Sequence, residues 1–267
     1  MLKIGLLGVG AIGRTIAMAI DQKQVDGELV ALADQDRERA MALSAQLASR
    51  PPVLSLEEMI ERAEVAVEAA SQAALADFVP KALARNREML IMSVGGLLGR
   101  QDWFRQAQEK GCRIYVPSGA IAGLDGIKSA SIGRIAAAEL TSRKPVAALR
   151  GSKYVVDRGI RLDDLEEDTV IFAGPAEEAA RAFPATSNVA ASLRLAVGPS
   201  APVCVRVVAV PGGNENVHEI RVQGEFGRLS MRVENVPSKS NPRTSQLAAF
   251  SAIATLKNLT TSLRVGT

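Results

Sequence analysis

A single histidine, His218, stands in Gly213-Asn-Glu-Asn-Val-His-Glu-Ile220, just past a Pro-Gly-Gly turn and at the expected start of a strand. An imidazole with its ordinary pKa of about 6.5 suits proton transfer near neutral pH. At a turn-to-strand junction such a residue is either an exposed bystander or a general acid–base, and position alone leaves both readings open. Lys128, Lys144 and Lys153 are candidate anchors for an acidic substrate, but nothing in their spacing sets them above surface lysines. Cys112 and Cys204 lie far apart, with no C-x-x-C, in apolar runs that predict buried free thiols. Two Cys and one His at these spacings assemble no zinc site, so no metal is expected.

The strongest spacing signal is at the N-terminus, in Gly8-Val-Gly-Ala-Ile-Gly13. A short apolar run, Leu2 to Leu7, precedes it, and Ile12, Ile16, Ala19 and Ile20 then recur at helical spacing. Strand, glycine turn and helix form the context in which G-x-G-x-x-G binds a dinucleotide. Gly8 makes the turn, Gly10 lets backbone approach a pyrophosphate, and Gly13 lets helix pack on strand. The free amides of the helix start, at Ala11, Ile12 and Gly13, face the phosphates. Leu29 to Ala33 forms a second apolar run ending in Asp34, about 20 residues past the last glycine, where a ribose-binding acid is expected. Asp34 should accept the ribose 2′-OH and repel a 2′-phosphate, favouring NAD. Gln35 and Arg37 soften that preference, because Arg37 could meet a phosphate and leave NADP usable.

These residues need elements to hold them. Strand-like runs at 64–70, 89–94 and 112–116 alternate with helical stretches at 37–48, 71–86 and 102–110. That alternation predicts a Rossmann-type, doubly wound parallel sheet. Ligands bind at the carboxyl ends of such strands, so the loops at Gly8, Asp34, Ser71, Ser93–Gly96 and Ser118–Gly123 should gather. From about residue 124 the texture changes. A helix is expected over 124–140, strands at 146–150, 169–172 and 203–210, and a hairpin over 218–236 turning at Gly227. This predicts a second α+β domain with a mixed or antiparallel sheet over 121–240. The last helix, opening in Asn241-Pro-Arg-Thr-Ser245, should return to the first domain of residues 1–120.

Composition fits a globular protein of one large or two modest domains: 267 residues, 47% hydrophobic and 23% charged. Aromatics make up only 3%, so the core is aliphatic. The net charge of +3 is spread along the chain without stacking aromatics, which argues against nucleic-acid binding. No apolar run reaches membrane-spanning length. The first apolar stretch is studded with glycine, unlike a signal peptide, and with free thiols this predicts a cytoplasmic protein.

Taken in order, Gly8 to Gly13, Ser93-Val-Gly-Gly96, Pro117-Ser-Gly-Ala-Ile-Ala-Gly-Leu-Asp125, Asn188-Val-Ala-Ala191, Asn216-Val-His-Glu-Ile220, Gly224-Glu-Phe-Gly227, Glu234-Asn-Val-Pro237 and Asn241 to Ser245 resemble the L-aspartate dehydrogenase family over essentially the whole chain. The resemblance implies oxidation of L-aspartate with NAD, or less favourably NADP, to iminoaspartate. The imine then hydrolyses to oxaloacetate and ammonia or feeds NAD biosynthesis. It implies a homodimer, His218 as the catalytic residue, and Ala122 and Asn188 as cofactor contacts. On residue type alone Asn188 reads as a helix N-cap; an N-cap at a cofactor cleft can do both. Thr244 and Ser245, at the expected helix start, are candidate carboxylate ligands together with Ser93. Val210-Pro211 departs from the family, which carries an acid before the proline. A homoserine dehydrogenase-like enzyme and a non-catalytic NAD-binding redox sensor are the alternatives; a dihydrodipicolinate reductase needs a histidine pair that this chain lacks.

Overall fold

The computed structural model describes residues 1–184, 187–199, 201–238 and 241–266, with the side chains of 237, 238 and 241–244 left out. The chain divides into two compact units, residues 1–117 with 248–264, and residues 118–247 with 265–267.

The first unit alternates strand and helix. It runs β1 (Leu2–Leu7), α1 (Ala11–Asp21), β2 (Gly27–Ala33), α2 (Arg37–Gln46), α3 (Leu56–Arg62), β3 (Val65–Glu68), α4 (Leu75–Ala84), β4 (Glu88–Ile91), α5 (Gln101–Glu109) and β5 (Ile114–Tyr115). The strands pair in parallel in the order β2-β1-β3-β4-β5. β3 and β4 are buried almost throughout and read as continuous apolar runs, as strands covered on both faces must. Ile4, Leu6, Ile16, Ile20, Leu32 and Val67 share one core with Ala252 and Leu256 of the last helix.

The second unit contains α6 (Leu124–Ala130), β6 (Ile135–Pro145), α7 (Val146–Leu149), α8 (Lys153–Asp157), β7 (Thr169–Pro175), α9 (Ala176–Ala182), α10 (Asn188–Val197), β8 (Val203–Val210), β9 (Asn216–Gly224) and β10 (Gly227–Asn235). Two short strands, β11 (Pro237–Ser238) and β12 (Asn241–Ser245), pair before α11 (Gln246–Thr260). The larger sheet runs β10-β9-β6-β8-β7 and is mixed, with β6 and β8 parallel and the other pairs antiparallel.

Four local expectations change. The helix expected over 124–140 stops at Ala130, and Ile135 begins a long strand. Alanines at 136–138 favour helix in isolation, but Ala138, Leu140, Ser142 and Lys144 alternate inward, and sheet pairing overrides propensity. Residues 146–149 form a helical turn rather than a strand. The chain at 241–245 pairs as a strand, so the last helix starts at Gln246. Cys112 is buried as expected, but Cys204 is exposed, because Val203 and Val205 take the inward positions of β8.

Candidate functional site

Two constellations stand out, one in each unit. In the first, β1 ends at Leu7 and the chain turns through Gly8 at φ 92°. Only glycine is comfortable there, and a Cβ would lie 2.6 Å from the Ala69 carbonyl oxygen. A Cβ on Gly13 would lie 1.9 Å from the Gly8 carbonyl oxygen, so α1 seats directly on the turn. Gly10 differs: the nearest atom to its Cβ would be Nη2 of Arg39, at 3.7 Å. The backbone is therefore open where a pyrophosphate must approach. Arg14 is the first residue of α1 to donate back to Gly10, which leaves the amides of Ala11, Ile12 and Gly13 outside the helix ladder. A cradle closed to side chains beneath and open above, with orphan amides at its rim, fits a dinucleotide phosphate.

Asp34 stands beside this turn with its side chain 7% exposed. Its Oδ2 accepts the Val9 amide at 2.7 Å and its Oδ1 accepts the Asp36 amide at 2.9 Å. The guanidinium next to it belongs to Arg39, 3.4 Å from Oδ2, and not to Arg37. Arg37 instead lines a groove with Met41, Arg50 and Pro52. Asp36 caps α2 by accepting the Arg39 amide, and that sets the phase of the helix. Ser71 is exposed, and its Oγ accepts the Ala74 amide. The Ser93 hydroxyl donates to Glu68 at 2.8 Å, and the Ser93 amide donates to the same carboxylate at 3.0 Å. Glu68, fully buried at the end of β3, also accepts the Ala70 amide. Burial pushes its carboxyl up, and the Ser93 bonds pull it back down. Glu68 thus ties together the loops that follow β3 and β4.

In the second unit the inner face of the mixed sheet is apolar at Leu140, Ile220, Val203 and Val205. It turns polar at one end. Register pairs Ser142 with His218, and the next inward residues are Lys144 on β6 and Asn216 on β9. All four are buried; His218 is 4% exposed and Lys144 5%. His218 Nδ1 lies 2.9 Å from Ser142 Oγ, and Lys144 Nζ donates to Asn216 Oδ1 at 3.5 Å. β9 begins two residues before His218, so the histidine is no exposed junction residue. Burial, and then the Lys144 charge, push its pKa down to about 3. An ordinary imidazole pKa is therefore not what this site offers. Burial pushes Lys144 down to about 8. Among the described residues no three His, Cys, Asp or Glu side chains are grouped to hold a metal ion.

Comparison with known proteins decides which chemistry this is. Residues 8–117 match the family model described as homoserine dehydrogenase, NAD binding domain, and residues 125–259 match aspartate dehydrogenase, C-terminal. The chain is 48% identical to the L-aspartate dehydrogenase of Methanocella arvoryzae and 46% identical to that of Methanosarcina barkeri, each covering 100% of both chains. A crystal structure of aspartate dehydrogenase from Thermotoga maritima superposes with a TM-score of 0.75 at 25% identity, covering 100% of both chains.

The chain belongs to the aspartate dehydrogenase family.

Within that family frame, hydrogen bonds join three of the motif stretches. Asn235 Nδ2 donates to the Ala120 carbonyl at 3.0 Å, and Asn235 Oδ1 accepts the Ser245 hydroxyl. Ser245 Oγ in turn accepts the Leu247 amide at 3.1 Å. The Ser245 hydroxyl is thus occupied within the fold, next to the start of α11. The side chain of Thr244 lies outside the described residues. Ala122 is exposed, three residues past the conformationally free Gly119. Asn188 is the first residue of α10, and the capping position itself falls to Ser187. Asn188 and Ala122 belong to the second unit, and the glycine turn and Asp34 to the first. Of two buried charged residues, the sequence offered Lys144 only as one of three candidate anchors and gave no sign of Glu68. Lys144 was one lysine among many until β6 was seen as a strand, although the alternation Leu140, Ser142, Lys144 was the available signal. Glu68 closes an apolar run and reads as an ordinary strand end.

Proposed function

We propose that this chain oxidises L-aspartate to iminoaspartate, which hydrolyses to oxaloacetate and ammonia or passes into NAD biosynthesis. The single observation that carries the reading is the buried His218–Lys144 pair, at the one polar end of the sheet face in a chain of this family. In the first unit Gly8, Gly10 and Gly13, the amides of Ala11 and Ile12, and Asp34 would hold NAD, with Ser71 at the rim. When bound, NAD accepts the hydride lost from the substrate Cα.

The remaining chemistry is proton handling. Breaking the Cα–H bond with loss of hydride needs the nitrogen lone pair, so an ammonium substrate must first lose a proton. Neutral His218 has one ring nitrogen beside Ser142. In the tautomer where Nδ1–H donates to Ser142 Oγ, the Nε2 lone pair is left to accept that proton, or one from the water that adds to the imine. A pKa of about 3 makes this a weak base in the free protein. A dicarboxylate substrate brings negative charge that offsets Lys144 and raises the basicity of His218 on binding. Ala122 and Asn188 are read as further cofactor contacts on the strength of the family motifs. Use of NADP beside NAD, a homodimer and a cytoplasmic location belong to the same reading.

The test is NADH formation from L-aspartate, with L-homoserine and L-malate as competing substrates. Turnover with L-aspartate alone is expected. Preference for homoserine supports the homoserine dehydrogenase alternative, and NAD binding without turnover supports a sensor.

A further inference from the structure

Lys144 is the unusual group in the second unit. Its ammonium is buried, and Asn216 is its one hydrogen-bond partner among the described residues. None of the ion pairs among those residues includes it, and no carboxylate contributes to its shifted pKa. Burying a cation without a counter-ion destabilises a fold. Folds keep such groups where a ligand supplies the missing charge.

The structure shows where that ligand would sit. Lys144 and Asn216 line a cavity of about 270 Å³ that lies wholly within the second unit. Phe183 lines it too, with Ser152 and, at its margin, Arg150 and Lys153. The Ser152 hydroxyl is buried and has no hydrogen-bond partner among the described residues. A cation without a counter-ion, an amide and the residue that carries the unpaired hydroxyl therefore line one small concavity, and among the described residues no acid lines it. A carboxylate answers all three: it accepts from an ammonium, an amide N–H and an O–H.

We infer that Lys144, with Asn216 and Ser152, anchors one carboxylate of the amino-acid substrate and is the residue that selects an anionic side chain or α-carboxylate. This rests on the aspartate reading above. His218 is the inward neighbour of this anchor on the adjoining strand. A carboxylate held at Lys144 brings the rest of a four-carbon amino acid towards the imidazole and neutralises the charge that depresses it.

Two measurements test this. The first uses turnover. Lys144→Met keeps the length and removes the charge, and it should raise KM for L-aspartate about 10- to 100-fold. KM for NAD should stay as it was. The apoprotein should melt no lower than the parent, because an unpaired buried charge has been replaced by an apolar chain; a merely structural lysine would lower the melting temperature. The second measurement stands apart from catalysis. Succinate, which has no amine to oxidise, is titrated calorimetrically into the parent and into Lys144→Met. The parent should bind it, with affinity falling as pH rises through about 8, where Lys144 titrates with His218 already neutral. Lys144→Met should lose at least about tenfold. If the parent binds succinate but does not oxidise aspartate, the anchor survives and the dehydrogenase reading fails. Equal succinate affinity in parent and variant overturns the anchor, as does a parent that does not bind succinate. If Lys144→Met and Lys144→Gln both fail to fold, Lys144 is structural and the inference is overturned.

Discussion

Asp34 has a structural job, seen in its hydrogen bonds, and a proposed one at the cofactor ribose. Its carboxylate fastens the Val9 and Asp36 amides, which shapes the loop, and it stands where a ribose diol would be read. Its position was legible because an acid about 20 residues past the last glycine is a spacing rule. Arg39 was not legible. Whether residue 37 or 39 turns back towards Asp34 depends on the phase of α2, and the Asp36 cap sets that phase. Replacing Asp34 by Ser should free Arg39 to meet a 2′-phosphate and raise the NADP-to-NAD ratio of kcat/KM at least about tenfold, a difference of about 1.4 kcal/mol. Adding Arg39→Ala should reverse most of that gain. A ratio that does not move on Asp34→Ser removes Asp34 from the ribose.

At the scale of elements, the glycine turn was written plainly in the sequence because each glycine answers a local steric demand. Those demands differ, and so do the expected mutants. Gly13→Ala drives a Cβ into the Gly8 carbonyl and should destabilise the first unit by more than about 2 kcal/mol. Gly10 has an ordinary φ of −67° and open space above it. Gly10→Ala should leave the melting temperature of the apoprotein nearly unchanged, within about 0.5 kcal/mol, while weakening NAD measurably in calorimetry. Equal stability losses at both positions would mean that the turn is not an open cradle at Gly10. The sheet of the second unit was harder to read. Its hairpin at Gly227 was visible, because two alternating runs flank a glycine with φ 110°. β6 was hidden, because alanines favour helix locally and only pairing with β8 and β9 selects the strand. Missing β6 meant missing the inward alternation that buries Ser142 and Lys144, and hence half of the polar end of the sheet.

For the whole molecule, the two buried bases tie stability to pH. His218 takes up its proton at about 3 in the fold and near 6.5 when unfolded, so the unfolded chain holds the extra proton between those values. The His218 contribution is complete above about pH 6.5 and is lost as pH falls towards 3, by at most about 1.4 kcal/mol per pH unit. Lys144 behaves alike in its own window: its contribution is complete above about 10.5 and is lost as pH falls towards 8. Calorimetric melting of His218→Gln against the parent should therefore show a shallower fall in stability for the variant between pH 6.5 and 3. Parallel curves would mean that His218 titrates normally and is not buried as described. The succession of a parallel sheet and a mixed one was legible from the spacing of apolar runs. The burial that sets these pKa values was not, because it depends on contacts far apart in the chain.

The most direct test of the account is a paired measurement on His218→Ala: kcat for L-aspartate oxidation and the affinity for NAD, with circular dichroism as a control for folding. General acid–base help is worth about 10²- to 10⁴-fold. The variant should lose that factor in kcat and keep its NAD affinity, since the glycine turn and Asp34 lie in the other unit. A folded variant that binds NAD and turns over L-aspartate at a near-normal rate would contradict the account, leaving His218 a buried bystander.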